Sequence, residues 1–526
     1  MAGRAAAPVA GGGLRELFDR RPAGAHVTCM LATALTTHAW PAGRPSIQQE
    51  AAAAGSSSGS PSAERAPMTR TLRTAHTTAN SSSAMRNESL HCLMLSLAVV
   101  APLMILMMHQ YVLEPSSSSP PIIWPETVES EVGGSDDDDA TDTGTTALTP
   151  QSLSSGTGPN AKATIAYAIS LTGCDGDGLH VQGAAVLGHS IRLNSAANPQ
   201  STSQYGYKLF VFVHPDAVTC AKPFGDVGFE IQVRETPVNV TDIRGEFLRT
   251  HVHKIGCCGE KEYLKLYSYQ MTEYPVVVHF DMDCLLLRPL DDLFDAIIEG
   301  PHSASAKSLP VMFDDPLPEK IDAFFTRDYN MIKPGKKYPG FQGGFLVVRP
   351  SQEVFQEYRE VILEGDFIGG AGWNGTFGGY WGAQQIQGLC SFYYDGIHPG
   401  TAVELNRCYY NQMVDSPVAE ETGKCRDGKE ECQDCRETKV VNIFSAHFTQ
   451  DCGKPWECRS NLKPLCRDLV KAWHAMRRNW DNFTSGDLTV PALPTGNMSP
   501  ETFLGNCKGV GARNYIPFQL LDGKSS

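Results

Sequence analysis

The chain has 526 residues and a formal net charge of −14. No basic block lies beside aromatic residues, which argues against a nucleic-acid partner. An acidic chain that handles an anionic ligand needs a metal ion or a local basic pocket.

The first 160 residues are rich in Ala, Ser, Thr, Gly and Pro and do not read as folded. One apolar segment interrupts them, LHCLMLSLAVVAPLMILMMHQYVL, at 90–113. Its stretch from Leu90 to Met108 has no formal charge apart from His91 and reaches about 29 Å as a helix, close to the thickness of a bilayer core. A single transmembrane helix is expected there. A buried core helix or a late signal peptide is the alternative. Arg65, Arg70, Arg73 and Arg86 precede the segment, and Glu114, Glu126, Glu129 and the Asp136–Asp139 run follow it. By the positive-inside rule, 1–89 is a cytosolic tail and the C-terminal part is luminal, as in a Golgi or endomembrane type II protein. The nine Arg, four acidic residues and absent Lys of the first 86 positions also suit an organelle transit peptide. Met68 and Met85 are alternative starts.

Fourteen of the sixteen cysteines follow the span, and six crowd between Cys425 and Cys466. In an oxidising lumen that density indicates disulfides, although CRDGKEECQDC also has the spacing of a zinc knuckle. Sequons at Asn239, Asn374, Asn482 and Asn497 fall on the same side of the span, as expected of a glycoprotein.

Residues 114–160 read as a flexible acidic stem. Thereafter strands alternate with helices. KATIAYAISLTG, YKLFVFVH, GFEIQVRETP and Val276–Phe280 are predicted strands, and GAAVLGHSIRL is a helix. EKEYLKLYSYQMTEY, with Tyr263, Leu264, Leu266, Tyr267 and Met271, is another. This alternation predicts an α/β unit over 161–480, a single mostly parallel sheet flanked by helices, with 481–526 as a C-terminal extension. Ligands of such sheets bind beyond the carboxyl ends of the strands.

The fourth strand ends in Asp281-Met282-Asp283. Residues i and i+2 of a strand face the same way, so both carboxylates can converge on a cation. Hard oxygens suit Mg2+ or Mn2+ holding a diphosphate. Solvated aspartates at a strand end are the plainer reading. A hydrophobic strand ending in DxD is also the nucleophile motif of haloacid-dehalogenase phosphatases, with Asp314 and Asp315 as a later acidic pair. Those enzymes place the motif on the first strand, whereas here more than a hundred residues of strand–helix pattern precede it. In HFTQDCGKPWEC, His447 supplies a nitrogen, Gly453 a close backbone approach and Lys454 a positive charge, with Pro455 and Trp456 to stiffen and cover the loop.

With these motifs the chain resembles the glycogenin-like, family 8 glycosyltransferases. That family carries His followed by Gly-Lys-Pro-Trp, a helix–strand–DxD segment like EYLKLYSYQMTEYPVVVHFDMDCLLLRPLDDLFD, and a Phe-Asn-x-Gly strand similar to FQGGFLVVRPS. The resemblance covers most of 161–460 and implies a GT-A type nucleotide-diphospho-sugar transferase fold. It implies a hexosyltransferase that takes a UDP-sugar donor and retains anomeric configuration on a glycan or glycoprotein acceptor. Carried over by position, Asp281, Asp283 and His447 would hold Mn2+ or Mg2+, and Lys265 and Lys454 would add positive charge around the diphosphate. Leu171 and Thr172 would receive uracil and ribose, and Gln342, Gly343, Gly344 and Gly453 would line the substrate. Gln384 would lie near the anomeric carbon.

Two departures accompany the resemblance. Ala383 stands where the family has a sugar-contacting Asp, and Gln342 replaces its Asn. Asp366 or Asn374 is an alternative source of the sugar contact, and His180 a substitute for the uracil-stacking Tyr. The loop IGGAGWNGTFGGYWG is a lid or a loop without a role. A relative that binds nucleotide-sugar or glycan without turnover is the competing expectation.

Overall fold

The chain divides into Met1–Leu113 and Glu114–Ser526. A computed structural model describes residues 150–174, 178–313, 315–332, 338–485, 496–518 and 520, all in the second unit. The expected span at 90–113 and Asp314 lie outside these residues. Among the described residues no helix is long and apolar enough to cross a membrane.

Fourteen strands follow in chain order: β1 Ser155–Gly156, β2 Ala163–Leu171, β3 Tyr205–Val213, β4 Glu230–Val233, β5 Val277–Phe280, β6 Cys284–Leu286, β7 Ala323–Arg327, β8 Phe341–Val348, β9 Phe367–Ile368, β10 Gly372–Trp373, β11 Ala402–Glu404, β12 Val418–Ala419, β13 Lys424–Cys425 and β14 Ser445–His447. Eight of them form one sheet in the order β1-β3-β2-β5-β8-β7-β11, with β4 also on β3. Pairings β2–β3, β2–β5, β3–β4 and β7–β11 are parallel; β1–β3, β5–β8 and β7–β8 are antiparallel. The unit is therefore α/β with a mixed, predominantly parallel sheet.

Strand β2 is apolar on both faces because both are covered. Ile165, Tyr167, Ile169 and Leu171 enter one core with Leu187 and Ile191 of the helix Leu179–Leu193. Ala166 and Ala168 enter the opposite core with Leu264, Leu266 and Tyr358. The period of two fixes this division.

The segment expected as a helix after Gly259 is a 3₁₀ helix, Gly259–Gln270. Its buried Tyr263, Leu266 and Tyr269 recur every three residues, the repeat of the tighter helix. The long helix Pro464–Ser485 buries Leu465, Leu469, Trp473, Met476 and Trp480, a stripe at spacings of three and four. It runs through position 480, and Phe503, Cys507 and Tyr515 pack into the same core as Trp473. At the other end, helix Pro150–Ser154 and β1 precede 161, and β1 pairs with β3.

Among the described residues, six disulfides join 174–220, 257–258, 408–435, 425–432, 452–466 and 458–507. The knuckle-like cysteines are thus in disulfides rather than gathered on a metal. Asn239, Asn374 and Asn497 are exposed, whereas Asn482 is half-buried.

Candidate active site

Strands β2, β5 and β7 all end at one edge of the sheet. Antiparallel β8 begins there, with Phe345 opposite Phe280. This brings Gln342, Gly343 and Gly344 beside the end of β5, where Asp281 N donates to Gly344 O at 3.0 Å. Beyond that bond the chain turns, and Cys284 N closes the turn on Asp281 O at 3.1 Å. The two carboxylates therefore converge through a turn rather than through the alternation of an extended strand.

The turn leads into β6, which pairs antiparallel with β14 and sets His447 opposite Cys284. Phe448 N donates to Asp283 O at 2.9 Å, and His447 N to Gln412 O at 3.0 Å. A ladder thus holds the histidine from both sides. Its Nε2 lies 3.4 Å from Asp283 Oδ1 and 3.9 Å from Asp281 Oδ2. Burial keeps the imidazole below its ordinary pKa, against the raising effect of Asp281, so the ring is neutral at pH 7.

Lys265, from the 3₁₀ helix, is buried beneath the carboxylates. Its Nζ donates to Asp281 Oδ1 at 2.8 Å and Gly343 O at 3.0 Å, and pairs with Glu262 Oε2 at 3.0 Å. Burial disfavours the ammonium, but Asp281 and Glu262 outweigh it and raise its pKa. Burial likewise pushes the Asp281 carboxyl up, yet Lys265 and then His447 hold it at about 2. Lys454 Nζ donates to Asp283 Oδ2. Its loop is set by Gly453, whose φ of +61° is left-handed and whose missing Cβ would meet the Arg459 side chain. Trp456 does not cover this loop: it is buried against Trp473 and anchors it from below.

The corner suits a hard divalent cation. The neutral imidazole nitrogen faces a carboxylate on each side, with Asp283 alone of the two gathered closely with it, and the Lys454 ammonium occupies a cation's place against Asp283. The space is kept open by Gly344, since a Cβ there would lie 2.5 Å from His447 Cε1 and 2.7 Å from Asp281 Oδ2. Cys284 Sγ lies in the same cluster as Asp283 and His447. Burial pushes that thiol well up and Sγ approaches Gly344 O at 3.5 Å, which leaves the oxygens and the imidazole as the ligand set.

Gln342 accepts from Gly344 N at 2.6 Å, and Asn411 Nδ2 reaches the same oxygen at 3.4 Å. Gln342 therefore braces the strand under the carboxylates. Ala383 is buried, and its carbonyl accepts from Trp373 Nε1 at 2.8 Å. Gln384 is buried with an unpartnered Oε1, while its carbonyl accepts from Tyr263 at 2.6 Å. The next turn touches the site, because a Cβ on Gly343 would meet Ile386 at 2.6 Å. Asp366 and Asn374 are both exposed in the glycine-rich loop. Leu171 is buried with its carbonyl taken by His214 N at 2.9 Å, and Thr172 is half-buried beside it. The loop after them is tied by Cys174–Cys220.

Sequence reasoning missed Glu262, Asn411, Asp328 and Asp415. Asp328 and Asp415 are buried near His447, and burial raises their carboxyls to about 7 and about 6. Each is an isolated polar residue without a motif. Only Asn411, in the left-handed region at φ +52°, is of a type that favours its conformation.

No family model matches this chain, and no curated protein sequence matches it. Solved structures give weak likenesses. Mouse xyloside xylosyltransferase 1 is 12% identical over 54% of this chain and 97% of its own, with a TM-score of 0.33. The galactosyltransferase LgtC, in complex with donor and acceptor sugar analogues, is 16% identical over 62% of this chain and 97% of its own, at 0.32. The bifunctional glycosyltransferase WbbM is 12% identical at 0.33, and the match spans 62% of this chain and 51% of WbbM. Likenesses this distant assign neither fold nor activity.

Proposed function

We propose that the chain is a metal-dependent glycosyltransferase that moves a hexosyl group from a UDP-sugar to a glycan or protein acceptor, with retention. The observation that carries this reading is the convergence of Asp281, Asp283 and His447 at the carboxyl edge of the sheet, with Lys265 and Lys454 on either side. Three ligands of this kind suit Mn2+ or Mg2+. A bound divalent ion would supply Lewis-acid stabilisation of the charge that develops on the UDP leaving group.

The chain's own residues do the rest. Asp281 stays ionised because Lys265 is buried beside it, and Lys265 in turn fixes the start of β8 through Gly343 O. Asp283 would be among the residues holding the ion, and Lys454, which donates to it in the structure, would then offer its ammonium to the diphosphate. Gln384 offers a buried amide to the sugar. Leu171, Thr172 and the disulfide-tied loop beyond them form the nucleotide side. In the cell this part would face the lumen of an endomembrane compartment, held by a single span at 90–113.

A second reading rests on Ala383. Its side chain offers no oxygen to sugar hydroxyls, which favours a protein that binds nucleotide-sugar or glycan without turnover. UDP release from a panel of UDP-sugars, with and without Mn2+ and beside Asp283→Ala, separates the two. Metal-dependent release that the substitution abolishes supports the transferase. UDP binding without release, with acceptors present, supports the binder. The absence of any metal-dependent UDP binding overturns the resemblance on which both rest.

A further inference from the structure

The 3₁₀ helix that carries Lys265 is preceded by Gly256-Cys257-Cys258-Gly259. The sulfurs of Cys257 and Cys258 and a carboxylate oxygen of Glu262 all lie within 4.8 Å of one another. Cys257 is exposed, and Cys258 and Glu262 are half-buried. The turn is rigidly seated: Gln385 Nε2 donates to Ile255 O at 2.9 Å and to Gly259 O at 2.7 Å. Gly256 and Gly259 both take positive φ, +71° and +61°.

We propose that Cys257, Cys258 and Glu262 form a redox-gated site for a thiophilic divalent cation of the Zn2+ class. Two thiolates and a carboxylate are a donor set for zinc, with a fourth position open to water. In the structure the two sulfurs are joined as a disulfide between adjacent residues, and in that state neither is a ligand. The bond closes no loop of chain, whereas the other five span 7 to 49 residues and gain the loop-closure stabilisation that this one lacks. A dithiol reductant opens it by exchange. The S–S bond breaks, two S–H bonds form, and two electrons and two protons come from the reductant, which leaves as its own disulfide. Zn2+ then displaces the two thiol protons. Cys257 Sγ already stands 3.5 Å from Glu262 Oε1.

The site is joined to the catalytic corner through Glu262, whose other oxygen pairs with Lys265 Nζ at 3.0 Å. Coordination by Glu262 withdraws one of the two counter-charges of that lysine. With that partner withdrawn the ammonium is left to Asp281 and Gly343 O, so zinc occupancy tightens the hold of Lys265 on Asp281 and a cation beside the start of the helix is sensed at the catalytic corner.

The test uses Zn2+ alone on the full chain, with thiols mapped by alkylation and peptide mass. The expected result is about one additional Zn2+ per chain once Cys257 and Cys258 are reduced. That increment is absent from the oxidised protein and from the Cys257→Ser, Cys258→Ser double variant. In Glu262→Gln it binds roughly ten-fold more weakly, on the scale of losing one ligand contact. Zn2+ held equally by the double variant places the metal elsewhere, for instance on Asp283 and His447, and overturns the proposal. So does a chain with both thiols mapped free that takes up no additional Zn2+. Neither outcome depends on UDP binding, so the proposed transferase function stands or falls separately.

Discussion

Lys454 donates to Asp283 across 171 residues of sequence, and in doing so it occupies the side of the carboxylate that a cation would need. On the proposed function the lysine and a metal ion would compete for one carboxylate, and would cooperate once a diphosphate is present.

Lys454→Ala should separate these effects. Removing the ammonium frees Asp283, so Mn2+ alone binds about three- to ten-fold more tightly. UDP affinity in the presence of Mn2+ falls about ten-fold or more, the scale of one charge-assisted hydrogen bond of roughly 1.5–3 kcal/mol. Calorimetric titration with each ligand reads both signs. A loss of both affinities would mean that the loop is merely disordered by the change.

Gly344→Ala tests the open space. The added carbon must displace His447 or Asp281, because both lie under 3 Å from it. Metal-dependent UDP binding should fall more than a hundred-fold, while the urea midpoint moves little beyond the roughly 1–3 kcal/mol of local overpacking. Unchanged Mn2+ affinity would show that the ion sits elsewhere.

Cys458→Ser tests the seating of the lysine loop. Cys458 pairs with Cys507, and Gly511 N donates to Cys458 O at 3.2 Å. Stability should drop by about 2–4 kcal/mol in a denaturant melt. At temperatures where the variant remains folded, KM for the donor should rise more than kcat falls, because Lys454 loses one of its two flanking anchors.

Two buried histidines set an acid limit on stability. Burial, with Arg477 nearby, lowers His474 to about 3, and burial lowers His189 to about 4 even though Asn479 hydrogen-bonds it. Both rings are neutral in the fold, and the unfolded chain takes up their protons below about 6.5. Their contribution is therefore complete above pH 6.5 and is lost as pH falls toward 4 and 3, at up to about 1.4 kcal/mol per pH unit for each. Urea midpoints between pH 7.5 and 4.5 should fall, with His279, lowered to about 3, adding to the slope and the raised carboxyls of Asp328 and Asp415 opposing it, and His474→Asn should flatten it. A slope unchanged by the substitution would assign the acid sensitivity to other groups.

Much of this architecture was legible in the residues. Strands β2, β3 and β5 announced themselves as apolar runs and β4 as an alternating segment, and His447 with Gly453 and Lys454 formed a pattern that distance in sequence did not hide. What stayed hidden was whatever depended on chain direction or on a partner far away. Nothing in FQGGFLVV shows that β8 runs against β5, yet that reversal is what brings Gly344 to Asp281. The same limit applies to Asn411, whose role exists only once Gln342 is folded against it, whereas Glu262 lies three residues from Lys265 and its pairing was readable from that spacing. The segment reads simply as a helix from Tyr263, Leu264, Leu266, Tyr267 and Met271, a pattern too short to separate the 3₁₀ from the α repeat.

The Cys458–Cys507 bond also fixes an order of events during synthesis. The partner of Cys458 lies 49 residues downstream. The sheet and both aspartates can be complete on a chain still being made, and Cys452–Cys466 can already tie one side of the loop that presents Lys454, but its other side is not fastened until position 507 has been made. Any truncation that removes 507 should yield a protein that has its cation corner but never gains a seated lysine arm.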